Sequence, residues 1–315
     1  MLQQIGSTVS TTVPIVLLIV LGAVIRRIRL ISPQGLAEIK GFIVNVALPA
    51  VFFVSFLTIE FETRFLGLFV FMPLILFGLL GAGYILGRLP GWPRPVPFLM
   101  TGFEFGMLGI SLFGTAYGMH QVGVISVLGL PHELFIWFVF VTLLRVRYGA
   151  GGTLGETVCS FATSPIIIAI ISGSVLNLVG AGPWLTTAVV PSAVIGALEM
   201  VGDVIGPLIL IVIGYGTRLT RRGIAAAAPL VLLRFAVVLA IGLTVVPWVV
   251  EELLQLRPIF THAVFTFLIL PPPFIVPLYI PGTEEHDLTY SNNVLSLYTV
   301  FSIVAFLVYF AVNPA

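Results

Sequence analysis

The chain has 315 residues, 59% of them hydrophobic and only 9% charged, with a formal net charge of +1 and a mean hydropathy of +1.17. Soluble domains carry about a quarter charged residues, so a water-soluble fold is excluded and the solvent is lipid. The single cysteine, Cys159, excludes a disulfide framework and a thiolate metal cluster; it reads as a small buried hydrophobe in a span.

Residues 1–12 are uncharged and lack a basic lead, so the first apolar segment is expected to be its own targeting signal. Apolar segments fall at about residues 12–27, 36–57, 65–89, 97–119, 122–144, 157–179, 186–217, 225–250, 262–280 and 291–312. Runs near ~20 apolar residues cross a bilayer as helices, and the alternation of a membrane barrel is absent. The reading is an all-α integral membrane protein of ten transmembrane helices.

The two halves echo each other. Pro14, Gly22 and Pro33 are matched by Pro165, Gly173 and Pro183, with the same Pro-to-Gly distance. Asn45 stands one turn before Pro49, as Asp203 does before Pro207. Five spans per half turn the second half over, which is the pattern of an inverted-repeat secondary transporter. The expected division is 1–148 for one repeat, 149–156 for a cytoplasmic connector and 157–315 for the other.

Charge placement sets the expected orientation. With both termini outside, 11 of the 14 basic residues fall in internal loops: Arg26, Arg27, Arg29, Lys40, Arg88, Arg94, Arg145, Arg147, Arg218, Arg221 and Arg222. Only Arg64 and Arg257 fall outside, a strong positive-inside signal for a cell (inner) membrane protein. Arg234, within the eighth segment near its basic start, is expected to snorkel to the interface. Glu284, Glu285, His286 and Asp287 read as a solvated turn.

The fourth and ninth segments are interrupted. Pro271, Pro272 and Pro273 remove three backbone donors in succession. Gly102, Gly106, Gly109 and Gly114 loosen the fourth segment, with the crossing expected at Gly109. Matched broken helices point to a transporter's binding site, where half-helix N-termini offer N–H groups to an anion. Candidate substrate-binding residues are Asn45, Glu104, Gly106, Gly109, Ser111 and Pro271–Pro273. Glu104, Glu199 and Asp203 are acidic groups within apolar segments and so candidates for coupling. Asn45 and Asp203 are expected to face each other, and His132 with Glu133 to form a proton-labile pair.

Four motifs, in order, resemble the auxin efflux carrier family. They are Asn45-Val-Ala-Leu-Pro49-Ala-Val-Phe-Phe53, Phe105-Gly-Met-Leu-Gly109-Ile-Ser-Leu-Phe113 with Ala116-Tyr117-Gly118, Pro207-Leu-Ile-Leu-Ile-Val-Ile-Gly214-Tyr-Gly-Thr-Arg-Leu219, and Leu270-Pro271-Pro272-Pro273. The resemblance implies the fold of the bile-acid symporter-like superfamily, in a short prokaryotic-type member. It implies a scaffold of spans 1, 2, 6 and 7 and a transport domain of spans 3–5 and 8–10, with spans 4 and 9 crossing. It also implies export or exchange of small organic anions. Glu104 stands where that family usually has asparagine, which raises the prospect of coupling to H+ or Na+.

The expectation is a secondary carrier of small carboxylates working by alternating access. A sodium-coupled symporter of bile-acid-like anions is the alternative within transport. An intramembrane enzyme is disfavoured because no His-Glu-x-x-His motif is present, and a nucleotide-binding loop is absent. No cofactor, metal or nucleic-acid partner is expected. A homodimer through spans 2 and 7 is, with Gly196, Gly202 and Gly206 giving close packing.

Overall fold

The computed structural model describes residues 2–59, 62–149, 155, 159, 162–216 and 221–313, with residues 2–12, 15 and 16 described by their backbone alone. Among the described residues the regular elements are helices, with no strand. Seven are long and apolar enough to cross a membrane: α2 (Pro33–Thr58), α3 (Phe65–Leu86), α4 (Val96–Tyr117), α5 (Met119–Tyr148), α7 (Val189–Gly216), α8 (Arg221–Leu253) and α10 (Glu285–Val312). They are joined by α1 (Leu2–Arg27) and two shorter apolar helices, α6 (Pro165–Leu178) and α9 (Pro258–Ile269). The chain is therefore an integral membrane protein by length and composition of its helices.

Local signals explain the helix ends. Ser32 caps α2, its Oγ accepting from the Gly35 N–H at 3.0 Å, and Pro33 occupies the first helical position where no N–H is needed. Arg26 and Arg27 close α1, and Arg26 also donates to the Tyr215 carbonyl at the end of α7. The apolar run expected as one helix at 186–217 bends at Val204 into Val189–Asp203 and Ile205–Gly216.

Two helix pairs are held by backbone-to-backbone approach, which only glycine permits. α1 packs along the second half of α7, and α6 along α2. A Cβ on Gly22 would strike the Ile211 carbonyl and the Tyr215 nitrogen; one on Gly173 would strike the Phe53 carbonyl and the Leu57 nitrogen. Ile211 and Tyr215 follow Pro207 by four and eight residues, and Phe53 and Leu57 follow Pro49 by the same steps. Gly214 makes a like approach to the Ile19 carbonyl. In lipid the hydrophobic effect does not drive helices together, so close packing of this kind carries the association.

The loops sort to two ends. At one, Arg94 pairs with Glu284 at 3.0 Å, Tyr148 donates to Asp287 at 3.1 Å, and Arg145 lies over the Tyr279 ring. At the other, Arg64 donates to the Gln255 carbonyl, Asn177 to those of Phe56 and Ile59, and Tyr117 to that of Asn313. The acidic turn at 284–287 is thus more than a solvated loop, since two of its carboxylates tie α10 to α5 and to the turn after α3.

Two expectations need correction, and a third falls outside the described residues. Cys159 is exposed rather than buried. Gly202 and Gly206, expected to serve a contact between copies, pack internally, where a Cβ would meet Val51 and Thr115 respectively. The connector at 149–156 lies largely outside the described residues.

Replacing Gly22 or Gly173 with alanine forces two backbones apart and is expected to destabilise by about 1–3 kcal/mol. Gly78 has open space at its Cβ position, so Gly78→Ala is expected to stay within ±0.5 kcal/mol. Thermal unfolding of the purified variants in detergent checks this, and equal melting of all three would refute the packing argument.

Candidate functional site

Two stretches of chain leave helical hydrogen bonding inside the bundle. In α4 the helix Val96–Met100 stops, residues 101–104 are non-helical, and helical geometry resumes as a wide turn over Phe105–Gly109 that leads into Ile110–Tyr117. After α9, residues 270–273 are non-helical, with Leu270 extended, and only a four-residue turn, Val276–Tyr279, follows before α10. The first stretch turns at Gly102, whose φ of +73° suits glycine, and a Cβ there would press on Pro273.

The stretches cross each other, and side chains pair the freed backbone groups. The Glu104 N–H donates to the Pro271 carbonyl at 2.8 Å. The Phe274 N–H donates to Glu104 Oε2 at 2.7 Å. The Phe103 N–H donates to His132 Nε2 at 3.0 Å, and Ser302 Oγ donates to the Ile269 carbonyl at 2.6 Å. Arg234 of α8 adds three more: its Nε, Nη1 and Nη2 donate to the carbonyls of Met100, Leu270 and Gly102 at 3.1, 3.1 and 2.6 Å. An unpaired N–H or C=O in hydrocarbon costs several kcal/mol, so these contacts decide whether the crossing exists. The proline run fits the same logic, because a proline has no N–H to leave unpaired.

Arg234 was expected to snorkel. Instead it is 0% exposed and forms no ion pair among the described residues. The rings of Tyr298 and Phe103 lie 4.5 and 5.2 Å from its guanidinium carbon. Intramembrane charge is rare and purposeful, a rule that singles out Arg234 as strongly as it does the carboxylates.

The predicted site residues divide. Glu104, Pro271, Pro272 and Pro273 meet at the crossing, which lies at residues 101–104 rather than at Gly109. Gly109 packs behind it, where a Cβ would meet Leu270. Gly106 has open space apart from a distant Leu48 methyl. Ser111 is fully buried and donates to the Gly206 carbonyl at 3.1 Å, joining α4 to α7. Asn45 is exposed and donates to the Gly41 carbonyl one turn back, so it is not at the crossing and does not meet Asp203. His132 Nδ1 lies 3.3 Å from Glu133 Oε1; since Nε2 accepts, Nδ1 carries the proton. The expected half-helix N-terminus after the prolines is missing, and its first donor, the Phe274 N–H, is held by Glu104.

Two cavities flank α2 and α7. One, of about 280 Å³, lies between Lys40, Ile213 and Gly216 on one side and Met107, Phe274 and Asn292 on the other. Ser296 and Thr299 also border it. Among the described residues Lys40 is the one cation on its border, a residue whose place in the sequence points only to orientation. The other cavity, of about 340 Å³, is bordered by Ser55, Thr58, His120, Glu199 and Asp203. Glu199 and Asp203 therefore belong to this second cavity and not to the crossing. Phe52, next to Val51 of the second cavity, stacks at a tilt against Phe105, two residues from Met107 of the first, with 5.8 Å between ring centres, and Ser111 bonds to Gly206.

No protein-family model matches the chain, and no curated protein matches it. The family resemblance therefore rests on the motif residues themselves.

Gly102→Ala places a side chain in a left-handed backbone and against Pro273, whereas Gly106→Ala enters open space. The first is expected to lower stability by roughly 1–3 kcal/mol and the second to be neutral. Thermal melts of both variants decide this; a neutral Gly102→Ala would contradict the crossing geometry.

Proposed function

We propose that this protein is a secondary active transporter of small organic anions, carboxylates first among them, working by alternating access. The observation that carries the reading is the crossing of two unwound segments beside a cavity that holds one lysine. Broken helices inside a membrane protein are tolerated where they are buried or line a cavity, and transporters place their substrate sites there. Lys40 supplies positive charge, and Asn292 and Ser296 supply uncharged polar groups, the partners a carboxylate needs. A volume of about 280 Å³ lies below the roughly 300–1,000 Å³ of drug-sized sites, which favours a small carboxylate over a bile-acid-sized one.

In this reading α1, α2, α6 and α7 form a fixed scaffold, and α3–α5 with α8–α10 form the moving domain. Support comes from the equivalent glycine contacts of α1 on α7 and α6 on α2, which fit an inverted repeat of five spans each. Two separate cavities bordered by α2 and α7 fit the two entrances that alternating access requires. The ordered motifs fit membership in the auxin efflux carrier family. The basic end of the molecule then faces the cytoplasm, with ten spans and both termini outside. Single-cysteine labelling in a Cys159→Ala background checks this: Arg221→Cys is expected to react only after the membrane is permeabilised, and reaction from outside would reverse the orientation.

Glu104 is proposed to couple transport to protons. Its carboxylate holds the Phe274 N–H, and a glutamine oxygen accepts the same bond, so Glu104→Gln keeps the crossing and removes the titration. Counterflow into proteoliposomes across a panel of carboxylates, amino acids and steroids, with and without pH gradients, tests function and coupling together. Small carboxylates are expected to exchange in both proteins, and pH-driven accumulation to collapse at least tenfold, about 1.4 kcal/mol of drive, in Glu104→Gln. Unaltered pH dependence in the variant would remove Glu104 from the coupling step, and counterflow of none of the carboxylates would defeat the functional reading.

A further inference from the structure

The crossing has the composition of a cation site. Three main-chain carbonyls, of Met100, Gly102 and Leu270, converge from both unwound stretches, and the Tyr298 and Phe103 rings present π faces to the same point. Carbonyls and ring faces are groups that attract a desolvated cation. What stands there is the guanidinium of Arg234, reaching in from α8, fully buried, and in no ion pair among the described residues.

We infer that the crossing is a cation-binding site which the chain fills permanently with its own guanidinium. Geometry favours this over a merely convenient hydrogen-bond donor. A planar guanidinium carries five N–H donors in a fixed fork, and here three nitrogens each reach a different carbonyl. Two of those carbonyls lie in α4 and one follows α9, so a single cation ties the two broken elements into one body. A lysine ammonium is a point charge and does not reproduce the fork. The consequence for ion use is direct: with the carbonyls already occupied, no dissolved monovalent cation is needed to close the crossing, and Arg234 travels with it.

The site is tested by emptying it. Arg234→Ala removes the guanidinium and leaves a space lined by carbonyls and ring faces. Thermal stability of the purified full-length protein is measured in guanidinium chloride, sodium chloride and tetramethylammonium chloride at equal ionic strength. Arg234→Ala is expected to melt well below the unaltered protein and to regain roughly 5 °C in about 20 mM guanidinium, with no gain from tetramethylammonium. The unaltered protein is expected to show no response to guanidinium at that concentration. Arg234→Lys is expected to fall between the two and to gain nothing from guanidinium.

Equal melting of Arg234→Ala in all three salts overturns the inference, as does an Arg234→Met protein as stable as the original, because then the charge is not needed. Should Arg234→Ala yield no folded protein, the original protein still decides: a sodium-specific rise in its melting temperature over choline would mean that a dissolved cation occupies the crossing. The test reads stability and not transport. A protein that moves no carboxylate leaves this inference standing, and a protein that moves carboxylates but shows no guanidinium rescue leaves the transport reading standing.

Discussion

Inside a bilayer the peptide group must find its hydrogen-bond partner within the protein, and in this molecule that requirement is concentrated at one place. Two segments leave helical geometry where no water can compensate. Their carbonyls converge on Arg234, and their N–H groups are taken by the Pro271 carbonyl, the Glu104 carboxylate and His132. The sequence around the crossing follows from this requirement. Prolines stand where an N–H would have no partner, glycine stands where the chain turns left-handed, and polar side chains from α5, α8 and α10 are aimed at what remains.

The charges at the crossing are arranged by backbone polarity rather than by pairing with each other. Guanidinium meets carbonyl oxygens, and carboxylate meets an N–H. Each charge is solvated by main-chain dipoles, and no ion pair joins Glu104 to Arg234 among the described residues. This separates their chemical roles. Arg234 is locked by three bonds and fully buried, whereas Glu104 takes backbone N–H groups of Phe274 and Met107 and is partly exposed. Of the two, the carboxylate is the group free to exchange its partner, which is the property that a proton carrier or a competitor for an anion requires.

A second division runs between packing that leaves no space and packing that borders cavities. α1 on α7 and α6 on α2 meet through glycine, backbone against backbone, where displacement would open a void along the whole contact. The boundary between those four helices and the rest is different. It is bordered by two cavities and bridged by an aromatic pair and one serine hydroxyl bond. Interior packing at crystal-like density resists deformation, so motion is easier along the boundary that already contains space.

Lipid as the solvent, helical class and the fact that both segments are broken were legible in the sequence, because each follows from local chemistry; the first break was expected at Gly109 and lies at residues 101–104. Apolar run length is set by membrane thickness, and a triple proline cannot remain helical whatever surrounds it. Gly22 and Gly173 could be recognised as matching positions, though not what they touch. The partners of Ser111 and Asn45 were hidden for the same reason, since a polar residue in an apolar segment gives no sign of whether it faces a cavity, a carbonyl of its own helix or another span. Tertiary structure alone decided that Arg234 points inward to three carbonyls instead of outward to the interface, that Lys40 borders a cavity beside the crossing, and that Glu199 and Asp203 border a different one. The reason is physical: hydrogen-bond partners for a broken backbone come from helices distant in sequence, and which helix lies close enough is fixed by packing and not by any local pattern.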